Sequence, residues 1–127
     1  MTSEYYLRGL EAYRQLFWPH YVERDGCTFL AFEEQRYQEW LAVFLQADRQ
    51  RIEATMNHRH ILDLLPEDVQ DPTRELILAF GRLLRDVWRA KLRQDFPDRE
   101  FVVSFPEDYS EELIDYEITF WQQRATT

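Results

Sequence analysis

The amino-acid sequence predicts a single α+β domain, residues 1–127, in which three to four helices pack on one face of a small antiparallel sheet. Two patterns in the sequence support this prediction. Apolar residues recur every three to four positions through most of the first 95 residues, which is the period of an amphipathic helix. From residue 101 onward they alternate with polar residues, which is the period of a strand. A chain of this length can bury the core of one such domain.

The first predicted helix spans residues 3–18. Its apolar residues fall on one face at i, i+4, i+7 and i+11: Tyr6, Leu10, Tyr13 and Phe17. Pro19 ends this helix, because proline disfavours helical backbone in the residue before it. The sequence Asp25-Gly26 indicates a turn. The short apolar run at residues 27–32 is then predicted to be a strand that could join the same sheet as the later strands.

A long amphipathic helix is predicted from Glu33 to Met56. Its apolar stripe does not continue beyond Met56, so we expect a break near Asn57, with that residue in the left-handed cap conformation. A short helix over residues 59–65 should follow and end at Pro66.

The most regular predicted helix runs from residue 72 to about residue 95. Asp71 is its expected N-cap, with Pro72 at the first helical position. Its apolar face is continuous and consists of Leu76, Ile77, Phe80, Leu83, Leu84, Val87 and Trp88. Gly81 lies at the edge of this face, where it would permit close packing of a neighbouring element.

A C-terminal β-hairpin is predicted from two alternating segments, residues 101–105 and 114–121. Six acids occur without a base between positions 107 and 117, which we call the acidic segment: Glu107, Asp108, Glu111, Glu112, Asp115 and Glu117. A field of one sign steers a basic partner, and a nearby aromatic side chain can anchor it. The predicted binding residues are therefore Glu107, Asp108, Glu112, Asp115, Glu117 and Trp121. Alternatively these acids only protect an edge strand, imitate a nucleic-acid backbone, or hold Ca²⁺.

A second candidate site lies at the predicted helix junction, where His58 and His60 are followed by Asp63. Histidine and carboxylate groups are ligands of zinc and other divalent metals. They are also general acids and bases, and His20 is a candidate additional member. The alternative is that these are helix-end residues, because a cationic histidine is favoured near a helix C-terminus.

Three further features have a structural as well as a chemical interpretation. Cys27 could be a nucleophile, but a lone cysteine in an apolar strand is usually a core residue. Glu53 and Asp63 could form a carboxylate pair, although we expect both at the solvated surface. The aromatic run at residues 17–21 could line a pocket for an apolar ligand, or it could pack in the core.

Composition bears on the compartment and the partners. A single cysteine allows no internal disulfide. The first residues do not read as a signal peptide, and no apolar run approaches the roughly 18 residues of a membrane span, so we expect a cytoplasmic location. The net charge of −9 disfavours direct binding to nucleic acid. Residues 100–127 carry seven acids and one base, so the negative charge is concentrated near the C-terminus.

Taken together, these features predict a small non-catalytic interaction domain whose acidic segment binds a basic protein or a second copy of the chain. The alternative is a metal-dependent or acid–base enzyme, or a ligand-binding domain, centred on His58, His60 and Asp63. No motif in the sequence names a cofactor.

Overall fold

The structure, a computed structural model, describes residues 3–31, 36–37 and 48–124. Its α+β class agrees with the sequence prediction. In chain order the elements are α1 (Ser3–Phe17), β1 (Tyr21–Arg24), β2 (Cys27–Leu30), α2 (Arg49–Met56), β3 (Arg59–His60), α3 (Arg74–Asp95), β4 (Glu100–Ser104) and β5 (Glu117–Gln123). Short 3₁₀ turns at Ile61–Leu64 and Leu113–Asp115 precede α3 and β5. None of the helices in these described ranges is long and apolar enough to cross a membrane.

The first two strands form a sheet of their own. β1 and β2 are antiparallel, with Tyr21 opposite Leu30. The turn residues Asp25 and Gly26 both have positive φ, 52° and 80°, as a tight two-residue hairpin turn requires. The strand predicted at residues 27–32 is therefore present from Cys27 to Leu30, but it pairs with β1 and does not join the C-terminal hairpin.

The second sheet has the strand order β3-β5-β4, so β5 is central. The predicted C-terminal hairpin is confirmed: β4 and β5 are antiparallel, and Ser104 lies opposite Thr119. On the other side of β5, two residues of β3 complete the sheet. Arg59 pairs with Ile118, and His60 pairs with Glu117.

The long helix predicted from Glu33 to Met56 is interrupted within the described residues. Asp48 has extended backbone, and its side chain accepts a hydrogen bond from the N–H of Arg51, so it is the N-cap of α2. Residues 32–35 and 38–47 lie outside the described ranges. Asn57 caps α2 in a right-handed conformation with φ of −91°, not in the left-handed one expected. The short helix predicted over residues 59–65 is present only as the 3₁₀ turn Ile61–Leu64, because its first two residues pair with β5 as β3.

The main core lies between α3 and the three-stranded sheet. The predicted apolar face of α3 contributes Ile77, Leu84 and Trp88, all fully buried, and the sheet contributes Ile118 and Phe120. A smaller cluster lies between β2 and α2 and contains Cys27, Phe29, Tyr37, Ile52 and Met56. Gly81 permits close packing as predicted, since a Cβ atom there would lie 2.1 Å from Cζ of Phe105.

Two buried side chains, one on α2 and one at its C-cap, join the two sheets, and we call this pair the α2 bridge. Glu53 and Asn57 lie one helical turn apart and are both 0% exposed. The Glu53 carboxylate accepts a hydrogen bond from the backbone N–H of Thr28 at 2.7 Å. Its other oxygen accepts one from the N–H of Gln122 at 2.9 Å and one from Nη1 of Arg124 at 2.8 Å.

The amide of Asn57 makes the corresponding bonds one turn later. Its Oδ1 accepts from the N–H of Leu30 at 3.0 Å, and its Nδ2 donates to the carbonyls of Thr28 at 3.0 Å and Phe120 at 3.3 Å. These N–H and C=O groups of β2 and β5 are not paired with another strand among the described residues. The side chains of Glu53 and Asn57 satisfy them instead, as buried polar groups require. The expectation that Glu53 lies at the solvated surface is therefore wrong.

Candidate metal centre

The candidate centre lies where α2 ends and β3 begins. His58 follows the C-cap of α2, and His60 is the second residue of β3, directly opposite Glu117 on β5. One possible ligand atom from each of these three side chains lies within 4.8 Å of the other two. The imidazole rings of His58 and His60 meet edge to face, with 5.4 Å between their centroids. The structure thus brings the two histidines together with an acid of the acidic segment.

Both imidazoles are oriented by backbone carbonyls. Nδ1 of His58 lies 2.6 Å from the carbonyl oxygen of Thr55, and Nδ1 of His60 lies 2.6 Å from that of Ile114. A carbonyl oxygen only accepts hydrogen bonds, so Nδ1 of each ring must carry the proton. In the neutral ring, Nε2 then holds the free lone pair. Metal-ligating histidines are commonly held by such a bond from the other ring nitrogen.

Nε2 of His60 faces the carboxylate of Glu117. Nε2 of His60 lies 3.2 Å from Oε1 of Glu117, and both side chains are partly exposed. Because Nδ1 is the donor to Ile114, a neutral ring would direct its lone pair at a carboxylate oxygen. A cation bound between Nε2 and Oε1 would remove this repulsion.

The predicted members His20 and Asp63 lie elsewhere. Asp63 is exposed in the 3₁₀ turn and lines a groove of about 860 Å³ beside α1. His20 is exposed after α1 and lines a separate cavity of about 210 Å³ together with Trp18. Neither belongs to the histidine cluster in the described residues. The third member is Glu117, which the sequence assigns only to the acidic segment.

The acidic segment is partly neutralised within the fold. Glu107 accepts a hydrogen bond from Nε of Arg82 at 2.6 Å, and this bond is the main reason that its carboxyl pKa is lowered. Arg85 also contacts Glu107, at 3.4 Å. Asp115 accepts a bond from the hydroxyl of Ser110 at 2.7 Å.

The remaining acids lie on the exposed connection between β4 and β5. Asp108, Glu111 and Glu112 are exposed, and their carboxylates have no partner among the described residues. Tyr109 is 72% exposed between them, with the guanidinium of Arg74 stacked 4.3 Å from its ring centroid. Trp121 is half-buried on β5, opposite Val102. Within the described ranges, these acids do not come together as a cation site.

Cys27 does not have the environment of a nucleophile. It is 1% exposed, and burial, followed by the charge of Glu53, raises the pKa of its thiol to about 11. At neutral pH it is therefore protonated, as a core cysteine usually is. The proposed carboxylate pair of Glu53 and Asp63 is not formed either, because Glu53 is buried in the α2 bridge and Asp63 is exposed.

Comparison with known proteins gives no match: no family model, no curated protein and no solved structure resembles this chain.

Proposed function

We propose that this protein binds a divalent metal ion of the zinc type through His58, His60 and Glu117. The observation that carries the proposal is the convergence of these three side chains, with Nδ1 of both imidazoles held by backbone carbonyls. Two imidazole nitrogens and one carboxylate oxygen are a ligand set suited to Zn²⁺ and to other first-row divalent metals. Three protein ligands leave a further coordination position for water or a substrate group, as in catalytic zinc sites.

Only a small adjustment is needed to close the ligand set around an ion. At Zn–N and Zn–O distances of about 2.0–2.2 Å, tetrahedral ligand atoms lie roughly 3.3–3.6 Å apart. The three atoms now lie within 4.8 Å of one another. His58, His60 and Glu117 are not buried, so their side chains can move by about an ångström without disturbing the core.

The proposal is tested by calorimetric titration of ZnCl₂ into protein purified without a histidine tag. We expect one equivalent to bind, and we expect His60→Ala to weaken binding by about 10–100-fold or more, since even outer-shell partners cost this much. His20→Ala is the matched control, because it removes an exposed histidine outside the cluster. The proposal is wrong if the unmodified protein binds no zinc, or if His20→Ala weakens binding as much as His60→Ala.

A second proposed function is recognition of a basic partner, or self-association, through the acidic segment. It is supported by the exposed carboxylates of Asp108, Glu111 and Glu112 around Tyr109, whose ring Arg74 helps to fix in place. Exposed acids of one sign raise the association rate of a basic surface, and the ordered aromatic ring offers an anchor. Direct binding of nucleic acid is not part of this proposal, because these charges repel phosphate.

This function is tested with partners isolated from the native cell and then purified, and by sedimentation for self-association. Glu111→Lys/Glu112→Lys should weaken binding, and the wild-type interaction should weaken as salt rises, because exposed charges are screened beyond about 3 Å at 1 M. Glu11→Lys/Glu67→Lys carries the same charge change on distant exposed sites and should leave binding intact. Interactions that survive the reversal at Glu111 and Glu112 would contradict the proposal.

We also propose a cytoplasmic location. It is supported by the single cysteine, which is buried as a thiol and would remain reduced in that compartment.

A further inference from the structure

A cavity of about 400 Å³ lies where the last turns of α3 meet the start of β4 and the end of β5. Its volume falls within the range of about 300–1,000 Å³ that is usual for small-molecule sites. Three arginines line it, Arg89, Arg93 and Arg99, against a single acid, Glu100. This local excess of positive charge is notable in a chain of net charge −9. The cavity does not involve the candidate metal centre.

The arginines are placed together by simple geometry. Arg89 and Arg93 lie one turn apart on α3, so they project from the same face of the helix. Arg99 follows the end of α3, in the turn that leads into β4. The lining also includes the apolar side chains of Leu92, Pro97 and Phe101.

The guanidinium groups retain much of their capacity to donate hydrogen bonds. Arg93 makes no side-chain hydrogen bond or ion pair with any residue in the described ranges, so its five N–H donors are available. Among the described residues, the Arg89 side chain has only distant partners, Asp86 at 3.9 Å and the carbonyl of Val103 at 3.5 Å. Arg99 is the best satisfied of the three, because it pairs with Glu23.

We propose that this cavity binds a small organic oxyanion. Arg93 and Arg89 hold its phosphate or carboxylate head, and its apolar body lies against Phe101 and Pro97. Guanidinium groups bind both heads through two parallel N–H bonds, which is the chemistry that the two anions share. A site for inorganic ions alone would need neither this volume nor an apolar wall.

The test is an NMR titration of ¹⁵N-labelled protein with phenyl phosphate and, separately, with benzoate. We expect saturable shifts of the arginine Nε–H signals and of the Phe101 and Gln123 amides with at least one of these probes. Arg93→Gln should raise the dissociation constant of that probe about 10-fold or more, which corresponds to one lost charge-assisted hydrogen bond of about 1.4 kcal/mol. Inorganic phosphate should bind more weakly than phenyl phosphate.

Arg51→Gln is the matched control, because Arg51 is exposed on α2 and its side chain also has no partner among the described residues. It makes the same change of net charge at a residue that does not line the cavity and should leave the titration unchanged. Saturation by only one probe identifies the head group as phosphate or carboxylate. The proposal is overturned if neither probe saturates, if Arg51→Gln weakens binding as much as Arg93→Gln, or if phenyl phosphate saturates but inorganic phosphate binds equally tightly.

Discussion

Replacing Glu53 by glutamine tests whether the α2 bridge holds the two sheets together. Glutamine has the same shape but only one accepting oxygen, so its NH₂ group must face either the N–H of Thr28 or that of Gln122. Arg124 also loses its negative partner. A lost hydrogen bond to a charged group costs about 1.5–3 kcal/mol, and a buried donor left unsatisfied costs about 1–3 kcal/mol. We expect Glu53→Gln to lower the free energy of unfolding by about 3–5 kcal/mol.

Urea denaturation at pH 7, followed by circular dichroism, measures this loss. The whole stability of a domain is typically about 5–15 kcal/mol, so the variant should remain folded in water but have little reserve. With a slope of about 2 kcal/mol per molar urea, the midpoint should fall by about 1.5–2.5 M. Glu67→Gln makes the same chemical change at an exposed residue without a side-chain partner in the described ranges, and its midpoint should not move.

A Glu53→Gln midpoint within about 0.3 M of the wild-type value, at an unchanged slope, would refute this prediction. Such a result would mean that the carboxylate is hydrated and that its three hydrogen bonds contribute little. An equal loss in Glu67→Gln would also refute it, since removal of any one negative charge would then have the same effect.

Three further results are expected from the same structure. Gly81→Ala should lower the urea midpoint, because the new Cβ meets the ring of Phe105 and overpacking costs about 1–3 kcal/mol. We expect this cost to exceed the roughly 1 kcal/mol by which alanine favours helix over glycine. An unchanged or higher midpoint would contradict this. Cys27 should react with iodoacetamide at pH 8 at least about 100-fold more slowly in the native than in the urea-unfolded protein, because its pKa rises from 9.0 to about 11; comparable rates would show that the thiol is accessible and ionised. Glu53→Gln should bind Zn²⁺ more weakly in the calorimetric titration although His58, His60 and Glu117 are all present, and equal affinity would show that the α2 bridge does not position them.

The elements that the sequence predicts well are those with a long and unambiguous period. α3 has 22 residues and a regular apolar period, although its N-cap is Thr73 and not Asp71 as predicted, and Leu76 and Leu83 of the predicted apolar face are exposed. The hairpin of β4 and β5 alternates over most of its length. The sequence pattern does not predict β1, although the turn at Asp25-Gly26 is a recognised hairpin signal. Its four residues do not alternate, because Tyr21 and Val22 are both half-buried while the next two are exposed. A strand this short is specified by pairing with β2 rather than by its own pattern.

The candidate site was predictable only in part. His58 and His60 are near each other in sequence, so their proximity could be anticipated. Glu117 joins them because a two-residue strand places His60 opposite it, and no local pattern specifies such a register. The burial of Glu53 is not predictable from the sequence for a related reason. A buried carboxylate is stable only with donors around it, and its donors come from β2, β5 and Arg124, which are remote in sequence.

The α2 bridge and the candidate metal centre are physically continuous. Asn57, the second member of the bridge, directly precedes His58, and its bond to the carbonyl of Phe120 fixes the end of α2 against β5. The hydroxyl of Thr119 donates to the carbonyl of Ala54 at 2.6 Å and fixes the same end from the strand side. The carbonyls that orient the two imidazoles belong to α2 and to the segment before β5. We therefore expect their spacing to depend on the bridge, so that a weakened bridge would separate the three candidate ligands without removing any of them.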